Sequence, residues 1–287
     1  EGVNRERQGK YPQALRWFGR GLKTLEQFAD EEHARREEGY LAFGYAGVRL
    51  RQGRLWEAVE WSSRAERLAR ELDDSRLLAR SAYLLMTSYG MLRRPEANEY
   101  RDVALPLFEE LGDWMYQGNA LNNLGVDAKD EGRWSDALEL YERSRVCRQQ
   151  AGDVVGAAIT MHNIGEILCD RGLLDEAQEH FESALRSWRR AGLTMGLAVG
   201  PSYLGRLHAR KGEFEVGFAM LDEAIERFEA MGASHFLLEA KVFRLESMVL
   251  AGDGRAAAAE AEALADMAAG QAIKENITRP YGCSVKY

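Results

Sequence analysis

Residues 121–141 read LNNLGVDAKDEGRWSDALELY, and residues 161–181, 40 positions further on, read MHNIGEILCDRGLLDEAQEHF. In both stretches apolar residues recur every three or four positions, a glycine interrupts the pattern, and a second run with similar spacing follows. This spacing is typical of amphipathic helices, and glycine commonly stands just past a helix end. Each stretch therefore predicts two helices joined by a short turn.

The turn glycines recur through the chain with a period of 40 residues. One series consists of Gly132, Gly172, Gly212 and Gly252, and a second of Gly112, Gly152, Gly192 and Gly232. Two series that share one period indicate an internal repeat. Runs of alternating β-branched and polar residues, which would indicate strands, do not occur in the sequence. We therefore predict an all-α fold, an α-solenoid of antiparallel helix pairs, over residues 1–270.

The register predicts six helix pairs after a partial unit whose helix covers residues 11–29. The pairs lie near residues 33–73, 74–112, 113–152, 153–192, 193–232 and 233–270. In the pair at 74–112 the turn glycine is missing, and we expect Pro95 to begin the second helix there. The alanines at 256–259 and Ala261 leave little bulk to bury, which predicts weak packing for the last pair.

The residues that carry the repeat resemble the tetratricopeptide (TPR) signature. Two segments with this resemblance are Leu121-x2-Leu124-Gly125-x2-Ala128 with Ala137-x3-Tyr141, and Met161-x2-Ile164-Gly165-x2-Leu168 with Ala177-x3-Phe181. The usual repeat has about 34 residues. The longer unit here is similar to those of kinesin light chain, of the spindle-orientation adaptor LGN, and of sensor regions in bacterial transcription regulators and nucleotide cyclases. The resemblance implies a right-handed superhelix whose first helices line a concave groove for the partner.

Carried over position by position, the resemblance places the candidate partner-binding residues on the first helices. They are Tyr83, Asn119, Asn122, Asn123, His162, Asn163, Glu166, Tyr203, Arg206 and Arg210. Asparagine is a poor helix former, so the four asparagines need an explanation. Either their amides hydrogen-bond an extended peptide, or they are solvated or join neighbouring helices. Arg206 and Arg210 lie one turn apart, where they could hold a partner's carboxylate or remain solvated charges.

Composition limits the classes of partner and compartment. The formal net charge of −8 argues against nucleic acid, because no basic field attracts phosphate. The sequence contains no apolar run long enough to predict a membrane span. Three cysteines do not make a disulfide framework, so we expect Cys147 and Cys169 to be small buried hydrophobes in a cytoplasmic protein. The chain opens inside a helical pattern without an initiator methionine, and we expect it to be a fragment of a larger protein.

The residues after Gly270 form a non-repeat tail, 271–287. Its last nine residues, RPYGCSVKY, resemble the C-terminus of bacterial thioredoxin-like redoxins, although no Cys-x-x-Cys motif accompanies them. Three interpretations stay open. Cys283 could be a reactive thiol that pairs with a partner's cysteine, the tail could occupy its own or a neighbour's groove, or it could be a disordered end.

Catalytic constellations are not recognisable in the sequence. The glycines stand at helix junctions and form no phosphate loop, and the five histidines are scattered over different repeats. We expect no cofactor and no metal, since His162 and Cys169 on one helix are a weak zinc signal. The prediction is a scaffold that binds a protein or peptide, not an enzyme, within a bacterial signalling, regulatory or assembly protein. The alternatives are a docking component of a thiol-redox enzyme and an effector-sensing domain of a transcription regulator or nucleotide cyclase.

Overall fold

The structure is a computed structural model that describes residues 2, 5, 10–28 and 31–265. The tail and Cys283 lie outside these residues. Twelve helices have defined bounds: α1 Tyr11–Leu25, α2 Glu32–Arg51, α3 Leu55–Glu71, α4 Ser75–Met91, α5 Glu96–Leu111, α6 Trp114–Asp130, α7 Trp134–Gln150, α8 Val154–Asp170, α9 Leu174–Ala191, α10 Gly196–Arg210, α11 Phe214–Met231 and α12 Ser234–Leu250. A short 3₁₀ turn, Glu26–Phe28, follows α1, and a further helical segment covers 254–265.

The helices form six consecutive pairs, and the described part of the chain contains no strand. The pairs are α2–α3, α4–α5, α6–α7, α8–α9, α10–α11, and α12 with the helical segment at 254–265. We call them repeats one to six, and each has a first and a second helix. Their bounds agree with the predicted pairs to within a few residues, so the all-α repeat fold is confirmed.

The described residues divide into two compact bodies within α6. The N-terminal body comprises the described residues up to Asn123, and the C-terminal body begins at Leu124. In the N-terminal body α2 packs against α1, α3 and α4. In the C-terminal body each helix from α7 to α12 packs against the next, and the first helices α10 and α12 also contact each other.

The turn glycines take the backbone conformation that their position in the repeat predicts. Gly172 and Gly192 have φ of 79° and 66°, in the left-handed region that side chains with a Cβ disfavour. Where the turn glycine is missing, Arg93 adopts a φ of 54° instead. The prediction for Pro95 was wrong by one residue, since α5 begins at Glu96 and Pro95 occupies the N-cap position.

Small residues let the two helices of a repeat approach closely. A Cβ built on Gly165 would lie 2.9 Å from the ring of Phe181, and one on Gly125 would lie 2.5 Å from the ring of Tyr141. Both rings are fully buried in the core of the C-terminal body, which extends from Ala128 to Phe243. The glycines therefore make room for the aromatic residues, as the pattern predicts.

The junction between repeats three and four contains a buried cation. Arg148, at the end of α7, is only 5% exposed, and its Nη1 lies 2.9 Å from the carboxylate of Asp153. The other carboxylate oxygen of Asp153 accepts a 2.9 Å hydrogen bond from the backbone N–H of Gly156 and caps α8. The carboxylate of Asp153 thus caps the N-terminus of α8 and pairs with the guanidinium of Arg148.

Two smaller predictions, on the burial of two cysteines and on the packing of the last repeat, are confirmed. Cys147 and Cys169 are buried, with 6% and 2% exposure. The sixth repeat is weakly packed, because Ala257 is the only buried residue within 254–265. Among the described helices, none is both long and apolar enough to cross a membrane.

Candidate functional site

A row of charged side chains lies on the first helices of the C-terminal body. Its members, from four successive repeats, are Lys129, Glu166, Asp170, Arg206, Arg210, Glu239 and Glu246. We call this row, with the side chains that contact it, the first-helix face. At one end of the row, Lys129 Nζ donates to Glu166 Oε1 at 2.7 Å and so joins α6 to α8.

Arg206 and Arg210 lie between two acidic residues of the chain itself. Arg206 is 3.0 Å from Asp170 on α8 and donates through Nε to Glu246 on α12 at 2.8 Å. Arg210 pairs with the same two carboxylates, at 3.3 Å and 2.7 Å, and also donates to the carbonyl oxygen of Cys169 at 2.9 Å. The carboxylates that these arginines hold in the structure are therefore internal and join three successive first helices.

The pKa values agree with this pairing. Burial by itself raises the pKa of Glu246, but hydrogen bonds and charge interactions from Arg206 and Arg210 bring it below its usual range. The guanidinium of Arg206 also lies over the ring of Phe243, 4.6 Å from its centroid. This cation is thus held by carboxylates and by an aromatic face together.

Tyr203 and Glu239 form a separate pair on the same face. The Tyr203 hydroxyl donates to Glu239 Oε1 at 3.0 Å and so joins α10 to α12. Burial raises the pKa of Glu239, and the nearby charge of Glu166 raises it further. Burial likewise raises the pKa of Tyr203 well above its ordinary value. Within the described residues Glu239 makes no ion pair with a cation, in contrast to the other carboxylates of the row.

His162 belongs to an aromatic cluster and not to an open surface. Its ring centroid lies 4.3 Å from that of Tyr203, 5.2 Å from that of Phe181 and 5.4 Å from that of Trp188. It is 7% exposed, and its Nδ1 makes no hydrogen bond to the described part of the protein. Burial, assisted by the charge of Lys129, lowers its pKa to about 3. The imidazole is therefore neutral in the folded protein at neutral pH.

Four of the candidate residues are buried. Asn122, Asn123, His162 and Tyr203 are 2%, 8%, 7% and 7% exposed, and their role in binding a partner stays a prediction. The two residues in the C-terminal body, His162 and Tyr203, lie where successive first helices touch, as their ring contact shows. Helical register identifies the helix that faces a groove, but whether a side chain is covered depends on its neighbours.

The other asparagines differ in their surroundings. Asn123 is 8% exposed and donates through Nδ2 to the Tyr83 hydroxyl at 3.3 Å, so it joins neighbouring first helices of the N-terminal body. Tyr83 also contacts the ring of Tyr116, with centroids 5.6 Å apart. Asn119 and Asn163 are half-buried. Asn163 lies one turn before Glu166 on α8.

Sequence reasoning missed Glu239 and Glu246. A signal for Glu246 was present, because Arg206 and Glu246 are 40 residues apart and have opposite charges, as do Asp170 and Arg210. Opposite charges at the repeat period predict ion pairs between successive first helices. At the corresponding position of the preceding repeat, 40 residues before Glu239, the sequence has the apolar Val199. The described residues include no group of three potential metal ligands.

Comparisons with known proteins concern the repeat and its fold. The tetratricopeptide repeat family TPR_10 matches residues 118–151 and 157–191, which cover the third and fourth repeats. This confirms the assignment made from the residues at 121–141 and 161–181. No curated protein matches the chain by sequence.

Several solved structures share the fold. BtubC (BKLC) from P. vanneervenii is 22% identical, with a TM-score of 0.63 over 77% of this chain and 92% of that one. A Rap protein complexed with Competence and Sporulation Factor is 16% identical, with a TM-score of 0.67 over 93% and 74%. The Rap conjugation gene regulator of the plasmid pLS20, in complex with the Phr* peptide, is 14% identical, with a TM-score of 0.75 over 99% and 75%. At these identities the likeness concerns the fold.

Proposed function

We propose that this tetratricopeptide-repeat chain is a binding module that holds an extended peptide or protein segment along the first-helix face of its C-terminal body. The observation that carries the proposal is the row of charged side chains on four successive first helices, from Lys129 to Glu246. On a helix that only packs in a core, these positions would be apolar.

The side chains of the row are held in place before any partner arrives. Lys129 is fixed by Glu166, and Arg206 and Arg210 are fixed by Asp170 and Glu246. Side chains that already occupy one conformation lose little entropy when they bind. A face of this kind favours a partner of defined shape and charge.

Two of the solved structures named above are complexes, one with Competence and Sporulation Factor and the other with the Phr* peptide. They support a peptide or protein as the partner. A role within a bacterial signalling, regulatory or assembly protein is the finer proposal that follows. The redox alternative depends on Cys283, outside the described residues, and it stays a prediction.

An array of short synthetic peptides, probed with the full chain, tests the proposal. We expect a subset of the peptides to bind. Asn163→Ala should weaken the binding of these peptides about fivefold, the equivalent of about 1 kcal/mol for one lost hydrogen bond. Glu226→Ala, on the exposed side of the second helix α11, is the matched control and should leave binding unchanged. Absence of any bound peptide, or equal loss in both variants, would contradict the proposal.

A further inference from the structure

The charges of the first-helix face do not balance. Its three cations, Lys129, Arg206 and Arg210, are all paired with carboxylates on adjacent first helices. Those carboxylates are Glu166, Asp170 and Glu246. Glu239 is the fourth carboxylate of the row, and within the described residues it has a hydroxyl partner but no cation.

The surroundings of Glu239 increase the cost of its negative charge. Burial removes water from the carboxylate, and Glu166 adds a second negative charge nearby. Lys129 and His235 act in the opposite direction, but Lys129 is already bound to Glu166. A cation placed against Glu239 would offset both the desolvation and the repulsion. Among the described residues no cation pairs with the carboxylate of Glu239. An added positive charge therefore finds an unpaired carboxylate at this position of the row.

We propose that the Tyr203–Glu239 pair is a subsite for a cationic group of the bound segment, either a lysine or arginine side chain or a free amino terminus. The subsite deepens the proposed function and rests on it. Glu239 accepts hydrogen bonds from the cation, and the Tyr203 hydroxyl keeps the carboxylate oriented by donating to its Oε1.

The chain itself contains an example of such a site. Two turns further along α12, Glu246 binds the guanidinium of Arg206, and the ring of Phe243 lies under the same cation. The ring of Tyr203 contacts that of Phe243, with centroids 5.0 Å apart. A carboxylate of α12 therefore binds a cation at one position of this face, and Glu239 offers a second carboxylate two turns away on the same helix.

The same geometry argues against an acidic partner at this place. The sequence suggested that Arg206 and Arg210 could hold a partner's carboxylate. In the structure both already hold Asp170 and Glu246, so an acidic ligand would have to displace two internal carboxylates. The partner chemistry that fits the C-terminal body is therefore basic.

The test uses the full chain and pairs of synthetic peptides that differ only at one basic position, with lysine in one member and norleucine in the other. A second pair compares a free with an acetylated amino terminus. The wild-type chain should prefer the charged member about tenfold in at least one kind of pair. Glu239→Gln, which keeps the size and the acceptor for Tyr203, should weaken the binding of the charged member and so abolish this preference.

Two further variants complete the test. Glu239→Asp retains the charge and should retain part of the preference, while Glu226→Gln on α11 should behave as the wild type. If peptides bind without a preference for the cation, or if the preference survives Glu239→Gln, the subsite is refuted and the binding function stands. If no peptide binds the wild-type chain, both proposals fall.

Discussion

The guanidinium of Arg206 lies 2.8 Å from the carboxylate of Glu246, a residue that follows it by one 40-residue period. Arg210 shares the same carboxylate at 2.7 Å. A single acidic side chain on α12 thus binds two arginines of α10. Because all three side chains are partly shielded from water, this arrangement contributes more than an exposed surface pair.

Neutralising Glu246 should weaken the C-terminal body. In Glu246→Gln, Asp170 is the one carboxylate among the described residues that still pairs with the two arginines, and we expect the free energy of unfolding to fall by about 1–2 kcal/mol. Urea unfolding followed by circular dichroism measures the change. The control is Glu223→Gln, which removes an exposed pair with Arg227 on α11 and should have an effect below about 0.5 kcal/mol. Equal effects would show that the arginine cluster does not stabilise the fold.

His162 should make the stability of the C-terminal body depend on pH. Burial lowers its pKa from 6.5 to about 3, so the unfolded chain takes up a proton on this ring at a higher pH than the folded chain does. The contribution of the neutral His162 ring to the free energy of unfolding is complete above pH 6.5, and it is lost as the pH falls towards 3. Between pH 7.5 and pH 5 the loss should be roughly 2 kcal/mol.

The variant His162→Phe isolates this contribution, because the ring lies among aromatic residues and its Nδ1 has no hydrogen-bond partner among the described residues. Unfolding curves of both proteins at the two pH values give the comparison. Between pH 7.5 and pH 5 the variant should lose roughly 2 kcal/mol less of its free energy of unfolding than the wild type does. Parallel losses in the two proteins would mean that other groups govern the pH dependence.

Gly165 should tolerate no larger residue. A methyl group there would lie 2.9 Å from the ring of Phe181, which is fully buried, so Gly165→Ala should lower the free energy of unfolding by about 1–3 kcal/mol. Gly254→Ala provides the comparison, since a methyl group at that position would meet no neighbouring atom within 4 Å. That change should be within about 0.5 kcal/mol of the wild type. A neutral Gly165→Ala would show that the helices can separate at little cost.

Asp153 has two separable roles. Asp153→Asn retains an oxygen that can cap α8 but removes the charge beside buried Arg148, and we expect it to cost about 2–4 kcal/mol. Asp153→Ala removes the cap as well and should cost about 1 kcal/mol more. Chemical denaturation of the two variants distinguishes the roles. An asparagine variant as stable as the wild type would mean that Arg148 does not need the negative charge.

The fold could be predicted from the sequence because its signals are local and repeated. Gly172 and Gly192 are located by their own spacing, and their left-handed φ follows from their position at helix ends. The closeness of Gly165 to Phe181 follows in the same way, since a glycine faces a bulky side chain at these positions in three successive repeats, at Gly125 and Tyr141, Gly165 and Phe181, and Gly205 and Leu221. Such features depend on one helix pair and do not require knowledge of neighbouring repeats.

The candidate site could be predicted only in outline. The register indicates that Arg206 lies on a first helix, but not that Asp170 and Glu246 reach it from both sides. Burial of Tyr203 and His162 depends on how closely successive first helices approach, and no single repeat contains that information. Glu239 was missed because its distinguishing property, the lack of a cation among the described residues, is a property of the assembled face.

The ion pairs between first helices also fix the order of the repeats. Repeats four, five and six present acidic, basic and acidic side chains in turn, at Asp170, Arg210 and Glu246. Deletion of the fifth repeat would preserve the 40-residue hydrophobic period but bring Asp170 next to Glu246, where the two like charges would repel each other. The apolar core of the shortened chain would still pack, whereas the repulsion between Asp170 and Glu246 would destabilise it. The repeats of this protein are therefore not interchangeable, and duplication or exchange of single repeats would have to preserve this alternation of charge.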